Sequence, residues 1–460
     1  MSVTGESSYT VTNPYNDEAV AEFVFASPAD VETALGKLHA GKKTQQNLSP
    51  FERADILNRL ATLMDEHAEE LAWTITLEMG KTIRESQVEI QRARNTILAS
   101  AAEARRIYGE ILPADAYPPR RDRTGMVHWR PIGLVLAITP FNFPINIAAH
   151  KVGPAFAAGN TILFKPGPQN YLSATLWTEL CYLAGFPEDV LQMSPTDVPG
   201  VQLAVEHPYT NCINFTGGVA AGKAIAARAG YKKLLLELGG NDPLILMPDG
   251  DPAAAAATAI QQRFGTSGQR CTAAKRVFIH ADIYEAFRDA LLEQTQKLKV
   301  GDPGKNKTDV GPLVNSQAAD QVMARIAAAI EGGATALIGN RREGNIVYPT
   351  ILENVSDDAE LVCDETFGPV IPLRSFRKLD EVVEIINGSP FGLQAGIFTN
   401  DLKLVQQLFE DLDVGTLAVN EGPGFRAEHF PFGGVKDSGT GREGVAYAIR
   451  EMSIHKTLVI

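Results

Sequence analysis

The stretch GLVLAITPFNFPINIAAHKVGPAFAAGNTILFK, residues 133–165, contains the pattern that decides the fold. An apolar run at Gly133–Ile138 is followed by a helical segment at Ile145–Ala158 and a second apolar run at Thr161–Phe164. Strands without polar alternation are typical of a parallel sheet, and the helices between them cover its two faces. The stretch therefore predicts a strand–helix–strand unit of an α/β protein.

The same alternation continues on the C-terminal side. Segments of this kind are the helix Leu172–Leu183, the strand Cys212–Phe215, the helix Ala220–Ala229 and the strand Lys233–Leu238. A second round follows Pro243, with the strand Leu244–Met247, the helix Pro252–Phe264, the strand Arg276–Ile279 and further alternation to Asn420. Because 460 residues exceed one ordinary hydrophobic core, we predict two doubly wound α/β domains.

Two flanking regions have other patterns. Phe51 to Tyr108 has the apolar spacing of helices, whereas PADAYPPRRDRTG at 113–125 cannot continue a helix because of its prolines. A strand pattern follows at Met126–Trp129, and another closes the chain at Ile454–Ile460. We expect an extended β arm, whose open edge a neighbouring subunit would cover in a homodimer or homotetramer.

Composition excludes several classes of protein. The net charge of −13 argues against a nucleic-acid partner, which needs a basic surface. The most apolar stretch, Ile132 to Ala149, contains two prolines and two asparagines, so we predict no membrane span. The four cysteines form no CxxC pair, and the chain begins without a secretory pattern, so we expect a cytoplasmic protein without a metal site.

A candidate nucleophile ends the sequence GTSGQRC at Cys271. The glycines allow a sharp turn that brings amide N–H groups beside the sulfur, and the adjacent Arg270 favours the thiolate, which is the reactive form. Taken alone, the same pattern also fits a small buried cysteine.

Three further motifs are candidates for catalysis and cofactor binding. Glu237 in LELGGND ends an apolar run and has the position of a general base, although strand-end glutamates are commonly solvated. Asn142 in PFNFP has the position of an oxyanion donor, or of a plain turn residue. The glycines of NFTGGVAAGKAI, at 217, 218 and 222, precede or open a helix whose N–H groups can approach a pyrophosphate.

The order of these motifs carries more information than any one of them. ITPFNFP, FKP, FTGG, LELGGN, GQRC and ETFGPV follow one another along the chain. In this order the chain resembles the aldehyde dehydrogenase superfamily from about Tyr9 to Ile460. GQRCTAAKRV, LELGGNDP and FPFGGVKDSG resemble the branch with non-phosphorylating glyceraldehyde-3-phosphate dehydrogenase and lactaldehyde-type enzymes.

The resemblance implies an aldehyde dehydrogenase-like α/β fold. It implies a dinucleotide-binding domain at 1–109 and 131–239, a catalytic domain at 240–435 and an oligomerisation element at 110–130 and 445–460. Cys271 would form a thiohemiacetal and then a thioester, Asn142 would hold the oxyanion, and Glu237 would activate the hydrolytic water. The cofactor would be NAD or NADP, bound by Ile138, Thr139, Pro140, Phe141, Lys165, Gly217, Gly218, Gly222, Leu238, Glu365 and Phe367.

Three arginines and a histidine suggest the class of aldehyde. Arg92, Arg270 and Arg426 match, or nearly match, positions that bind the substrate phosphate in the glyceraldehyde-3-phosphate branch, and His429 lies in the loop of Arg426. Guanidinium groups suit phosphate, phosphonate, sulfonate or carboxylate, so we expect a small anionic aldehyde. Phe143 stands where the branch often has tyrosine, and sulfolactaldehyde, phosphonoacetaldehyde, succinic semialdehyde and lactaldehyde remain alternatives.

The sequence leaves the nucleotide preference open and argues against three other classes of protein. NAD-preferring relatives often carry glutamate where this chain has Pro168, so the choice between NAD and NADP is undecided. Glu237 argues against a CoA-acylating enzyme, since activation of water needs a base. The presence of both Cys271 and Glu237 argues against a non-catalytic relative, and no histidine accompanies Cys271 as a cysteine hydrolase would require.

Overall fold

The computed structural model describes residues 3–5, 7–119 and 122–460. Residues 1, 2 and 6 of the predicted dinucleotide-binding segment, and residues 120 and 121 of the predicted arm, lie outside the described part. The chain opens with an antiparallel hairpin of Ser8–Thr12 and Ala19–Val24. Four helices follow, at Pro28–Asn47, Pro50–Glu66, Ala68–Met79 and Ile83–Ala104. The first of them and the hairpin were not predicted.

The first large sheet has six strands. In spatial order they are Gly439–Thr440, Lys233–Glu237, Thr210–Thr216, Leu134–Ile138, Thr161–Lys165 and Leu191–Met193. All neighbours are parallel except the antiparallel edge pair of Gly439–Thr440 with Lys233–Glu237. The connecting helices are Pro144–Ala157, Tyr171–Ala184, Val198–Glu206 and Val219–Ala229.

The central strand of this sheet explains why its sequence is apolar throughout. Val135 and Ala137 pack into one hydrophobic core, whereas Leu134, Leu136 and Ile138 pack into a second core on the opposite face. Side chains of a strand alternate between faces, so burial on both faces leaves no position for a solvated residue. The prediction of a parallel sheet covered on both sides is confirmed.

The second large sheet has seven strands. In spatial order they are Thr335–Ile338, Thr350–Glu353, Val370–Phe376, Arg276–His280, Pro243–Leu246, Gln394–Phe398 and Thr416–Val419. Only the edge strand Thr335–Ile338 is antiparallel to its neighbour. Its helices are Pro252–Phe264, Tyr284–Thr295, Ser316–Glu331, Glu360–Cys363, Leu379–Asn387 and Leu402–Asp411. Two short strand pairs form separate sheets, Arg342–Glu343 with Ile346–Val347 and Phe391–Gly392 with Val435–Lys436.

A three-stranded antiparallel sheet forms the arm. Ser453–Val459 pairs with Thr124–Pro131, which pairs with Glu110–Pro113 on its other side. The helix Val445–Glu451, in contrast, contributes Val445, Ala448 and Ile449 to the core of the first sheet. The predicted oligomerisation segment 445–460 thus contains both a helix whose apolar face packs inside the main body and a strand of the arm. Within the described ranges no helix is long and apolar enough to cross a membrane.

Candidate active site

The loop before Cys271 has an unusual backbone. The helix Pro252–Phe264 ends directly before it, and Thr266, Ser267 and Gly268 then have left-handed φ angles of 52°, 54° and 75°. A Cβ at Gly268 would lie 2.3 Å from the backbone of Gly368. This close approach and the positive φ explain the glycine of the GQRC motif.

Cys271 is a partly buried thiol. Burial raises its pKa to about 11, and among nearby cations Lys275 opposes this most strongly. The Lys275 ammonium donates to the Cys271 carbonyl oxygen and lies 3.0 Å from Glu365 Oε1. The sequence assigned stabilisation of the thiolate to the adjacent Arg270, whereas the structure places Lys275 first among the cations that lower this pKa.

Asn142 is held from two sides. Its Nδ2 donates to the Gln269 carbonyl oxygen over 2.8 Å, and its own carbonyl oxygen accepts from Lys81 Nζ over 2.7 Å. A primary amide has two N–H bonds, so the bond to Gln269 orients the group and leaves the second N–H available. Gln269 precedes Cys271 by two residues, which fixes Asn142 relative to the nucleophile loop.

A buried ion pair supports the Asn142 loop. Lys81 pairs with Glu89, and both side chains are fully buried. Glu89 Oε1 also accepts from the backbone N–H groups of Ile145 and Asn146, over 3.0 and 3.1 Å. The carboxylate thereby caps the helix that begins at Pro144, where the helix dipole favours negative charge.

Glu237 is buried at the end of its strand, and neither carboxylate oxygen has a partner among the described residues. Burial raises its pKa well above the usual carboxyl range, and the nearby Glu443 raises it further. Glu443 is held as the anion, because Lys151 Nζ and Arg426 Nη2 lie 3.0 and 2.8 Å from its oxygens. Burial and an adjacent fixed anion thus act in the same direction, and both raise the pKa of Glu237.

A cavity of about 420 Å³ opens at the carboxyl ends of the first sheet's strands. Cys271 and Asn142 line it, together with all but one of the residues predicted to bind the cofactor. These are Ile138, Thr139, Pro140, Phe141, Lys165, Gly217, Gly218, Leu238, Glu365 and Phe367. Gly222 is the exception, and it packs against Leu238, whose Cδ2 would lie 2.5 Å from an added Cβ.

The cavity is suited to a ligand with polar groups and negative charge. The buried hydroxyls of Thr139 and Thr216 have no hydrogen-bond partner among residues 3–5, 7–119 and 122–460. The helix Val219–Ala229 begins at this cavity without a side-chain cap, so its first N–H groups are free for an anion. Burial lowers the pKa of Lys165 to about 8.

A second cavity, of about 600 Å³, contains the predicted arginines Arg92, Arg270 and Arg426. Each leaves one buried guanidinium nitrogen without a hydrogen-bond partner in the described part of the chain: Nη2 of Arg92, Nε of Arg270 and Nε of Arg426. His429 is not among the described residues that line this cavity, and its exposed ring packs against Phe430 with centroids 4.8 Å apart. The structure brings the three arginines together and leaves the histidine outside.

In two pairs of residues adjacent in sequence, one residue lines the first cavity and the other lines the second. Asn142 lines the first cavity and Phe143 the second, while Cys271 lines the first and Arg270 the second. Cys271 and Asn142 therefore lie where the first cavity adjoins the second, which is rich in guanidinium groups. Glu237 lines neither of the two cavities in the described structure, and its carboxylate lies close to Gly433.

Sequence reasoning missed the residues that hold this site in place. Lys81, Glu89, Lys151, Lys275 and Glu443 are buried, and their ion pairs and hydrogen bonds join segments far apart in the chain. A lysine in an otherwise apolar helical stretch, as at Lys151, was the one local signal of a buried pair. Among the described residues no group of His, Cys, Asp and Glu has a metal-binding arrangement.

Comparison with known proteins connects this geometry to a family. The chain matches the aldehyde dehydrogenase family over residues 2–458. It is 57% identical over 453 residues to sulfoacetaldehyde dehydrogenase of Neptuniibacter caesariensis, covering 98% of this chain and 99% of the relative. It is 39% identical over 451 residues to 3-sulfolactaldehyde dehydrogenase of Priestia aryabhattai, covering 98% and 94%.

A solved structure agrees with these matches. Glyceraldehyde-3-phosphate dehydrogenase of Methanocaldococcus jannaschii, complexed with NADP, superposes with a TM-score of 0.94 at 35% identity, and the match covers 98% of each chain. In this chain Cys271 and Asn142 line one cavity at the carboxyl ends of the first sheet's strands. The chain therefore belongs to the aldehyde dehydrogenase family.

Proposed function

We propose that this protein oxidises sulfoacetaldehyde to sulfoacetate with NAD or NADP as the hydride acceptor. The observation that carries the proposal is the position of Cys271 at the boundary between the two cavities, with Arg270 facing the guanidinium-rich one. A sulfonate in that pocket would place an aldehyde carbon, two bonds from the sulfur, toward the thiol. The 57% identical sulfoacetaldehyde dehydrogenase supports this choice of anion.

The arginine pocket favours an anionic substrate over a neutral one. Buried guanidinium N–H groups without partners are costly unless a ligand accepts their hydrogen bonds. A sulfonate has three acceptor oxygens, one for each unpartnered nitrogen of Arg92, Arg270 and Arg426. A neutral aldehyde such as lactaldehyde would leave these donors desolvated and unpaired, so we assign it lower efficiency.

The first half of the reaction uses Cys271 and Asn142. The Cys271 thiol, whose pKa burial raises to about 11, first loses its proton to solvent. The resulting thiolate attacks the aldehyde carbon and forms a thiohemiacetal, whose oxyanion accepts from the second N–H of Asn142 and from the Cys271 backbone N–H. A bound NAD or NADP would supply the hydride acceptor. Collapse of the oxyanion would release the hydrogen of the former aldehyde carbon, with its electron pair, to that acceptor and would leave a thioester on Cys271.

The second half of the reaction needs a base for water. Glu237 accepts a proton from water, the resulting hydroxide attacks the thioester carbonyl, and Cys271 departs as the thiolate. Because burial raises the Glu237 pKa, the carboxylate form, and with it hydrolysis, increases with pH. CoA as the acyl acceptor is the alternative, and release of free acid without CoA would distinguish the two.

Residues of the first cavity would hold the nucleotide. The helix N-terminus after Gly218 suits a pyrophosphate, Lys165 the adenosine ribose and Glu365 the nicotinamide ribose. Pro168 offers no carboxylate to repel a 2′-phosphate, so we infer that NADP is accepted as well as NAD. Steady-state kinetics with each nucleotide measure the preference, and activity restricted to NAD would contradict this inference.

An activity panel tests the proposed function. Purified protein is assayed with sulfoacetaldehyde, phosphonoacetaldehyde, succinic semialdehyde, lactaldehyde and propionaldehyde, against both nucleotides and without CoA. We expect kcat/KM for sulfoacetaldehyde to exceed that for propionaldehyde by at least about 100-fold, from the hydrogen bonds of charged groups. Equal values for the two aldehydes would contradict the proposal.

The arm supports assembly into a homodimer or homotetramer. Ile111, Leu112, Ile454, Leu458 and Val459 are exposed on its strands, and Ser453–Val459 and Glu110–Pro113 are its outer strands. Open edges with exposed apolar side chains require cover by another chain. Light scattering coupled to size-exclusion chromatography would detect the oligomer, and a monomer at micromolar concentration would contradict it.

A further inference from the structure

In the second cavity, neighbouring carboxylates balance the positive charge of the guanidinium groups. Arg92 Nε lies 2.7 Å from Glu428 Oε1, and Arg426 Nη2 lies 2.8 Å from Glu443 Oε2. Both pairs are largely buried, so their charges are screened little by solvent. The pocket therefore offers strong N–H donors without a large excess of positive charge.

Arg270 has a carboxylate neighbour as well. Glu85 lines the same cavity, and its Oε1 lies 3.2 Å from the position that a Cβ at Gly265 would take, while Arg270 Nη1 lies 3.5 Å from that position. No hydrogen bond joins Glu85 and Arg270 within the described structure. The carboxylate oxygen accepts instead from the backbone N–H of Thr266, over 2.7 Å.

The Glu85 side chain is fixed, so its charge stays where the structure places it. Its Oε2 accepts from the Thr82 hydroxyl over 2.9 Å, and its Oε1 is held by Thr266 in the left-handed turn. Glu421 adds a second carboxylate to the cavity wall. The remaining charges there are internally paired: Arg84 lies 2.6 Å from Asp309, and Glu89 pairs with Lys81.

We propose that this pocket selects monoanionic over dianionic aldehydes, and that the Glu85 carboxylate imposes the selection. The inference rests on the proposed function and names the charge state of its substrate. Three guanidinium donors satisfy the three oxygens of a group with one negative charge, such as a sulfonate. A second negative charge on the same group is repelled by the fixed Glu85 carboxylate. In a partly dehydrated pocket this repulsion outweighs the additional attraction of the second charge to the arginines, whose own charge is already balanced by carboxylates.

Two substrates of similar size isolate the effect of charge. Sulfoacetaldehyde keeps one negative charge from acidic to alkaline pH, whereas phosphonoacetaldehyde passes from monoanion to dianion near neutrality, as phosphoryl groups do. The ratio of their kcat/KM values cancels titrations of the enzyme that affect both substrates alike. We expect the ratio of sulfonate to phosphonate to rise about tenfold between about pH 6 and pH 8.

Glu85→Gln tests the cause. Glutamine retains an acceptor for the Thr266 N–H and removes the charge, so we expect the rise in the ratio to shrink to about twofold. Glu69→Gln is the matched control, because it removes the same charge from an exposed position in the helix Ala68–Met79 and should leave the tenfold rise unchanged.

The possible outcomes separate the inference from the proposed function. A ratio that is flat or falls with pH in the unmodified protein would overturn the charge selection even if sulfoacetaldehyde is a good substrate. A rise that persists undiminished in Glu85→Gln would overturn the role of Glu85. Absence of activity with sulfoacetaldehyde at every pH would contradict the proposed function itself. The measurement on the unmodified protein needs no variant, so it decides the first question even if Glu85→Gln does not fold.

Discussion

Replacement of Arg270 by glutamine is the perturbation that most directly tests anion binding. The Arg270 guanidinium makes no hydrogen bond to another described residue, its Nε is buried and unpartnered among them, and its guanidinium carbon lies 5.9 Å from the centre of the Phe143 ring. Removal of the guanidinium therefore breaks little of the protein's own structure. Arg426 is less suitable, because its loss would leave the buried Glu443 carboxylate with one cation fewer.

The magnitude follows from the contacts of the guanidinium. A hydrogen bond between charged groups contributes about 1.5–3 kcal/mol, and 1.36 kcal/mol corresponds to a factor of ten. Loss of the Arg270 contact should therefore lower kcat/KM for sulfoacetaldehyde by about 10- to 150-fold. A neutral aldehyde of similar size, propionaldehyde, makes no such contact and should lose less than about threefold, the scale of a small packing change.

The assay measures nucleotide reduction at saturating nucleotide with each aldehyde in turn. Arg84→Gln is the matched control, because Arg84 lines the same cavity but lies 2.6 Å from Asp309 and donates to the Thr308 carbonyl oxygen over 3.0 Å. This variant should change neither substrate by more than about threefold. Equal losses for both aldehydes in Arg270→Gln would refute the assignment of the pocket to the anion.

Three further predictions concern the nucleophile loop and the base. Glu237→Gln should slow hydrolysis of the thioester by about 100-fold or more, so that a burst of reduced nucleotide precedes slow turnover in stopped-flow records; turnover at the normal rate would contradict its role as base. The rate of Cys271 alkylation should increase with pH toward the thiol pKa of about 11. Lys275→Met removes the cation that lowers this pKa, so alkylation at pH 8 should become about tenfold slower. An unchanged rate would contradict the effect of the lysine. Gly268→Ala should destabilise the fold by more than about 1 kcal/mol in denaturant unfolding, because its φ is 75° and an added Cβ would meet Gly368; unchanged stability would contradict this account of the loop.

The sheets were predictable from the sequence, because burial on both faces of a strand produces a run of apolar residues without polar alternation. The helix Pro252–Phe264 was predicted with the bounds that the structure shows, since a proline begins it and a glycine follows it. The helix Pro28–Asn47 was missed, because the buried face of its second half carries Gly41 and Gln45 instead of apolar side chains. The assignment of residues 445–460 to oligomerisation stays a prediction, while the structure shows a core helix at Val445–Glu451 followed by a strand of the arm at Ser453–Val459.

The sequence predicts those parts of the site that consist of single residues within a recognisable motif. Cys271 and Asn142 stand out by their motifs, and the structure brings both to one cavity. The groups that position them, such as Lys81 and Lys275, lie in no motif with a known mechanism, and their partners are set by the fold. Similarly, the ion pair of Arg92 with Glu428 joins residues that are 336 positions apart, so no local sequence pattern predicts it.

Detection of an acyl group on Cys271 tests the central claim most directly. Glu237→Gln protein is mixed with sulfoacetaldehyde and NAD or NADP, quenched in acid, and measured by intact-protein and peptide mass spectrometry. We predict a sulfoacetyl adduct on Cys271, formed in step with one reduced nucleotide per subunit, and neither product in Cys271→Ser. Nucleotide reduction at a near-normal rate in Cys271→Ser, or an adduct on any other residue, would contradict the covalent mechanism.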